Sequence, residues 1–107
     1  MKIGIVGSGD VARSLGKGLI DQGHDVLIGS RHPEKKELDG WKKHAGKRGQ
    51  TGSTTEAADF GEIVILAIAW HAAENVLAQI RPEAAGKIVI DVTNPLEFND
   101  DEPPSLS

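Results

Sequence analysis

The sequence predicts a doubly wound α/β sheet with parallel strands. Short β-branched and aliphatic runs alternate with segments whose apolar positions recur at helical spacing, and the runs end in glycine, serine or proline. The chain has 107 residues, 38% hydrophobic and 26% charged, which suits one domain with one sheet. Strands that alternate with helices at this pace require right-handed crossovers between parallel neighbours.

Ile3 to Val6 is the first strand, ending in glycines. From Asp10 to Gln22, Val11, Ala12, Leu15 and Leu19 form the stripe of a helix that Gly23 stops. Asp25 to Ile28 is the second strand, closed by Gly29-Ser30-Arg31. Pro33 suits the first turn of a second helix, in which Leu38, Trp41 and Ala45 make the buried stripe, although Gly40, Gly46 and Gly49 weaken it. A short strand is expected near Gln50 to Gly52. Ser53 and Glu56 have capping-box spacing for a helix through Phe60. Ile63 to Ala69 reads as a strand buried on both faces. Ala72, Ala73, Val76, Leu77 and Ile80 line a helix that Pro82 and Gly86 are expected to end, before a last buried strand from Ile88 to Val92. Residues 1–96 form the domain; residues 97–107, acidic and rich in Pro and Ser, read as a tail or the start of a further region.

Several classes are excluded. No cysteine is present, so there is no disulfide framework, thiolate metal site or Cys nucleophile, and the cytoplasm is the expected compartment. The apolar run Ile63–Ala69 is far shorter than the roughly 20 residues of a membrane span. A net charge of −4 argues against general nucleic-acid binding. The charge is uneven: Arg31 to Arg48 carries +4 and the rest of the chain −8, so a compact anion would be drawn to one place. No histidine–carboxylate spacing suggests a metal, no nucleophile elbow surrounds a serine, and no catalytic acid–base pair is evident. His71, at a helix start, reads as a cap or surface group.

The strongest signal is Gly7-Ser8-Gly9-Asp10-Val11-Ala12, of the form G-x-G-x-x-A, where the first strand becomes the first helix. It lies inside a strand–helix–strand unit of about 30 residues, the setting in which such a loop binds a dinucleotide. Gly7 permits the tight turn, Gly9 lets a pyrophosphate approach the backbone, and Ala12 lets the helix sit close to the sheet, a packing that Gly16 and Gly18 extend. The helix N-terminus then presents N–H groups and roughly half a positive charge to the anion.

The end of the second strand selects between nucleotides. A site for NAD places an acid there; this chain has Ser30-Arg31-His32, and its Asp25 is at the other end of the strand. A carboxylate beside a 2′-phosphate would cost on the order of 1–4 kcal/mol per pair, whereas a charge-assisted bond from Arg31 contributes about 1.5–3 kcal/mol. Ser30, Arg31 and Lys35 are therefore the expected ligands of the NADP 2′-phosphate. At the carboxyl ends of the later strands, Ala69 and Trp70 and then Asn94, Pro95 and Leu96 are placed to line the nicotinamide. Trp70 reads nearly as well as a core residue, and the turn at Asn94-Pro95 as an ordinary one.

Ile5-Val6-Gly7-Ser8-Gly9-Asp10-Val11-Ala12, Gly29-Ser30-Arg31, Ala69-Trp70, Thr93-Asn94-Pro95-Leu96 and Pro103-Pro104-Ser105-Leu106-Ser107 together resemble the coenzyme F420-dependent NADP oxidoreductase family. The resemblance implies an NAD(P)-binding Rossmann fold that passes hydride between NADP(H) and F420 as second substrate. It puts Ser8, Gly9, Asp10 and Val11 at the pyrophosphate, Ser30, Arg31 and Lys35 at the 2′-phosphate, and Ala69, Trp70, Asn94, Pro95 and Leu96 near the nicotinamide. Ala69 replaces a proline frequent in the family. Members are usually longer, so the C-terminal strands and helical domain that complete the F420 pocket and a homodimer are expected to be missing here. A noncatalytic NADP(H)-binding module, and an NADP-dependent reductase with another small-molecule acceptor, are the alternative readings.

Overall fold

In a computed structural model, described for residues 1–32, 36–68 and 73–92, the elements follow in the order β1 (Lys2–Val6), α1 (Asp10–Asp21), β2 (Asp25–Gly29), α2 (Glu37–Ala45), a 3-10 turn (Gly46–Arg48), β3 (Gly49–Gly52), α3 (Thr54–Phe60), β4 (Ile63–Leu66), α4 (Ala73–Ala84) and β5 (Ile88–Asp91). The five strands are all parallel and lie in the order β3-β2-β1-β4-β5, the Rossmann-like arrangement that the alternation predicts, including the short strand at Gly49–Gly52. No helix among the described residues is long and apolar enough to cross a membrane.

The two-residue period of the strands sorts side chains between two cores. Ile3, Ile5, Val26, Ile28 and Ile65 face α1 and α2, where they meet Ala12, Ile20, Leu38, Trp41 and Ala45. Val6, Leu27, Val64 and Leu66 face the other way, against Ala57 and Ala58 of α3 and Ile80 of α4. Alanines and glycines set how closely α3 sits: a Cβ on Gly4 would meet the Ala57 carbonyl oxygen at 1.9 Å, and one on Gly29 would meet the Ser53 carbonyl oxygen at 2.6 Å. The expected capping box closes the start of α3, with Ser53 Oγ accepting from the Glu56 N–H (3.1 Å) and the Ser53 N–H donating to Glu56 Oε1 (2.7 Å). At its other end Lys87 Nζ donates to the carbonyls of Ala58 (2.6 Å) and Asp59 (2.8 Å), filling acceptors the helix cannot fill itself.

Five expectations need correction. Gly16 does permit close packing, but its neighbours are Trp41 and Ile28, whereas Gly18 has nothing within 4 Å of a Cβ built on it. Pro82 does not end α4, which continues to Ala84. Proline there removes only one bond, to the Ala78 carbonyl, and buried Ile80 with Ala84 against the core holds the last turn in place until Gly86 at φ +78°. β4 stops at Leu66 rather than Ala69, because its partner β1 stops at Val6; one further bond, Ala67 N–H to the Val6 carbonyl, completes the ladder.

β5 is not buried. Ile88, Val89 and Ile90 are 63%, 40% and 43% exposed, since β5 is an edge strand paired only to β4 among the described residues. The basic run is divided as well. α2 returns toward the starts of the strands, where Gly49 pairs with Val26, so Lys42, Lys43, Lys47 and Arg48 lie at the end of the sheet opposite Ser30-Arg31.

Candidate functional site

The register brings the ends of all five strands to one level: Gly52, Gly29, Val6, Leu66 and Asp91 are successive neighbours. The chain leaves β1 toward β2 and β3, then crosses back to β4 on the other side of β1. The crevice beyond β1 is therefore the switch point at which open α/β sheets bind their ligands.

Gly7 occupies this point. Its φ is +126°, a conformation that L side chains rarely adopt, and a Cβ would lie 2.1 Å from the Ala67 carbonyl oxygen. Its N–H donates to the Gly29 carbonyl at 2.8 Å, so the turn is tied to β2 and pressed against the end of β4.

The next turn starts α1. Gly9 is the N-cap and supplies no side-chain cap, and the first bond of the helix is Arg13 N–H to the Gly9 carbonyl at 3.0 Å. The N–H groups of Asp10, Val11 and Ala12 consequently have no partner among the described residues. Beside the doubly capped α3, this open end with its positive dipole is a ready anion site. A Cβ on Gly9 would meet nothing within 4 Å, so the space that a diphosphate needs is present. Asp10, exposed in the first turn, is paired through its Oδ1 with Arg13 Nη2 at 2.5 Å, and Arg13 Nε also donates to the Gly9 carbonyl at 3.3 Å. Arg13 was not singled out from the sequence; its i, i+3 spacing from Asp10 is the signal that could have found it. Val11, 40% exposed, stands beside this loop.

At the end of β2, Ser30 is buried, its N–H bound to the Gly52 carbonyl at 2.9 Å, while Arg31 is exposed and has no partner among the described residues. Ser8 Oγ donates to Ser30 Oγ at 3.0 Å, and the His32 N–H donates to the same oxygen at 3.0 Å. Asp25 pairs with Lys2 at the start of the strand, away from this corner. The structure thus brings Gly7, Ser8, Gly9, Asp10, Val11, Ser30 and Arg31 to one surface. Lys35, Ala69, Trp70, Asn94, Pro95 and Leu96, and the domain boundary at 96/97, lie outside the described residues.

A cleft of about 320 Å³ opens to the side, between α1 and α2, lined by Arg13, Lys17, Glu37, Trp41 and His44. Its cations Arg13 and Lys17 are offset by Glu37 and by Asp10, the partner of Arg13, so it exerts no net pull on an anion.

Residues 2–95 match the model of the family described as NADP oxidoreductase, coenzyme F420-dependent. The chain is 36% identical over 99 residues to rat (Rattus norvegicus) metalloreductase STEAP3, covering 90% of this chain and 18% of that protein. It is 30% identical over 103 residues to the F420-dependent NADP reductase of Methanothermobacter marburgensis, covering 91% of this chain and 46% of that protein. A solved structure that carries the name F420 dependent NADP-reductase, from Arthrobacter sp. FB24, superposes with a TM-score of 0.81 at 31% identity, over 97% of this chain and 50% of that one. An imine reductase from Myxococcus stipitatus in complex with NADP+ shares the fold, with a TM-score of 0.74 at 16% identity over 87% of this chain and 32% of its own. The chain spans less than half of the two curated relatives and half of the Arthrobacter structure. With the doubly wound parallel sheet that was expected and the family model matched over residues 2–95, the chain belongs to the coenzyme F420-dependent NADP oxidoreductase family.

Proposed function

We propose that this chain is the NADP(H)-binding domain of an oxidoreductase that moves hydride between NADP(H) and the deazaflavin F420. One observation carries the nucleotide part: the uncapped start of α1 and the exposed Arg31, which has no partner among the described residues, share the level of the strand ends, with Ser30-Arg31 where an NAD site has an acid. The residues fit the group. The N–H groups of Asp10, Val11 and Ala12 hold the diphosphate, Gly9 leaves it room, and Arg31 and Ser30 hold the 2′-phosphate, with Lys35 as a third ligand. When bound, the nicotinamide supplies or receives the hydride. The protein's part is then position and exclusion of water, which Ala69, Trp70, Asn94, Pro95 and Leu96 are assigned to provide, and it needs no acid–base pair.

The acceptor rests on the family and on the reductase relative at 30% identity. A second reading, an NADP-dependent reductase with another acceptor, is favoured by the 36% identity to a metalloreductase. Titration with NADPH and NADH tests the nucleotide: tighter NADPH binding is expected, and equal affinities contradict the role of Arg31. Stopped-flow mixing of the NADPH-bound protein with oxidised F420, and separately with a ferric chelate, tests the acceptor through the protein-dependent loss of NADPH absorbance. Loss with neither acceptor assigns a module that binds without turnover.

A further inference from the structure

The start of α1 combines two opposed features. Its N–H groups and positive dipole suit an anion, yet Asp10 puts a carboxylate in the same first turn, with its side chain 96% exposed. One of the donor N–H groups belongs to Asp10 itself, so covalent geometry keeps an anion bound there within about 7 Å of the carboxylate. Arg13 meets this acid. Its Nη2 donates to Asp10 Oδ1 at 2.5 Å and its Nε to the Gly9 carbonyl at 3.3 Å, so the guanidinium bridges the glycine loop and the first turn. The arginine is only 29% exposed and lines the cleft beside Trp41, which keeps its charge in place. No other cation is paired with Asp10 among the described residues.

We propose that Arg13 is a positioning residue for the diphosphate: it cancels the charge of Asp10 at the mouth of the anion site without itself binding the nucleotide. This rests on the reading of the α1 start as the diphosphate site. Asp10 favours the helix, because a negative charge in the first turn complements the dipole. Unopposed, the same charge would repel the anion that the N–H groups receive. The arginine lets the acid serve the helix and leaves the local charge near zero. Both NADPH and NADH contain the diphosphate, so loss of Arg13 weakens both by one factor, unlike a change at Arg31.

The test is the Kd of NADPH and of NADH, read by nicotinamide fluorescence at two ionic strengths. It uses the 107-residue protein, Arg13→Gln, Arg13→Lys, Asp10→Asn and Arg13→Gln/Asp10→Asn, with thermal melts as a fold control. Arg13→Gln is expected to weaken both nucleotides about three- to tenfold, by less at the higher salt. Arg13→Lys, which keeps the charge, should recover most of the affinity, and Asp10→Asn should tighten both nucleotides. The double variant, with neither charge, should return to within about twofold of wild type. A loss that persists in the double variant means that Arg13 touches the nucleotide itself and overturns the proposal. So does a loss confined to NADPH, or one that only follows the melting point. A Gly9→Ser variant that binds both nucleotides as wild type does refutes the diphosphate site itself, and so is told apart from failure of the charge pair.

Discussion

Gly16 of α1 and the indole of Trp41 in α2 occupy adjoining space: a Cβ on the glycine would lie 2.6 Å from Trp41 Nε1 and 3.2 Å from Ile28 Cδ1. Trp41 is buried and rigid, so an added methyl must displace the ring. Gly16→Ala is expected to destabilise the fold by about 1–2 kcal/mol, despite alanine's better helix propensity. Gly18, two residues on in the same helix with open space around it, gives the control: Gly18→Ala should stabilise by roughly 0.5–1 kcal/mol. Urea unfolding of both variants reads the difference, and the same sign for both would contradict this packing.

Gly9 separates a structural glycine from a functional one. Its φ of −78° and ψ of −166° suit any residue, and a side chain there meets no protein atom. Gly9→Ser should leave stability within a few tenths of a kcal/mol, since it adds a helix cap. It should also weaken NADPH by more than about tenfold, because the hydroxymethyl group fills the diphosphate's space and takes its N–H donors. Calorimetric titration and a melt on one sample check both halves.

Gly7→Ala should cost more than about 2 kcal/mol. It combines a φ of +126° with contact against the Ala67 carbonyl, so neither the backbone nor β4 can relax cheaply. The measurement is the denaturation midpoint; a loss of less than about 0.5 kcal/mol would mean that the turn has other conformations open to it.

Arg31→Gln is expected to raise the Kd for NADPH about ten- to a hundredfold with little change for NADH. The wild-type preference for NADPH should also shrink as salt is added, because Arg31 is exposed and its charge is screened. Titrations at two ionic strengths read both effects.

Lys87→Met keeps the apolar stem and removes the ammonium that binds the Ala58 and Asp59 carbonyls. A loss of about 1 kcal/mol is expected, with no effect on nucleotide binding at the opposite ends of the strands. Chemical denaturation beside an NADPH titration separates the two.

Much of the fold was legible because each element has its own local cause. The short apolar runs Ile3–Val6 and Asp25–Ile28, helical spacing from Val11 to Leu19, and the Ser53–Glu56 box all act within a few residues, and each appears in the structure. What was misread depends on distant neighbours. Whether Ile88–Asp91 is buried is decided by what lies beside the strand, not by its own apolar residues. Pro82 is tolerated because Ile80 is anchored in a core made by other elements. The glycine loop and Ser30-Arg31 were legible as a site, since turn chemistry and charge mark them. The bond from Ser8 to Ser30 was not, because no pattern in the chain reports which way a hydroxyl turns.

The two borders of the sheet are unlike. β3 closes one side with Gly-Gln-Thr-Gly, which offers a neighbour no large apolar side chain. The other side offers Ile88, Val89 and Ile90 uncovered on both faces, with no proline, lysine or bulge within the strand to discourage pairing. Growth by strand addition is thus barred at one margin and invited at the other. The exposure of Ile88, Val89 and Ile90 thus bears on the solubility of this unit as much as its architecture does.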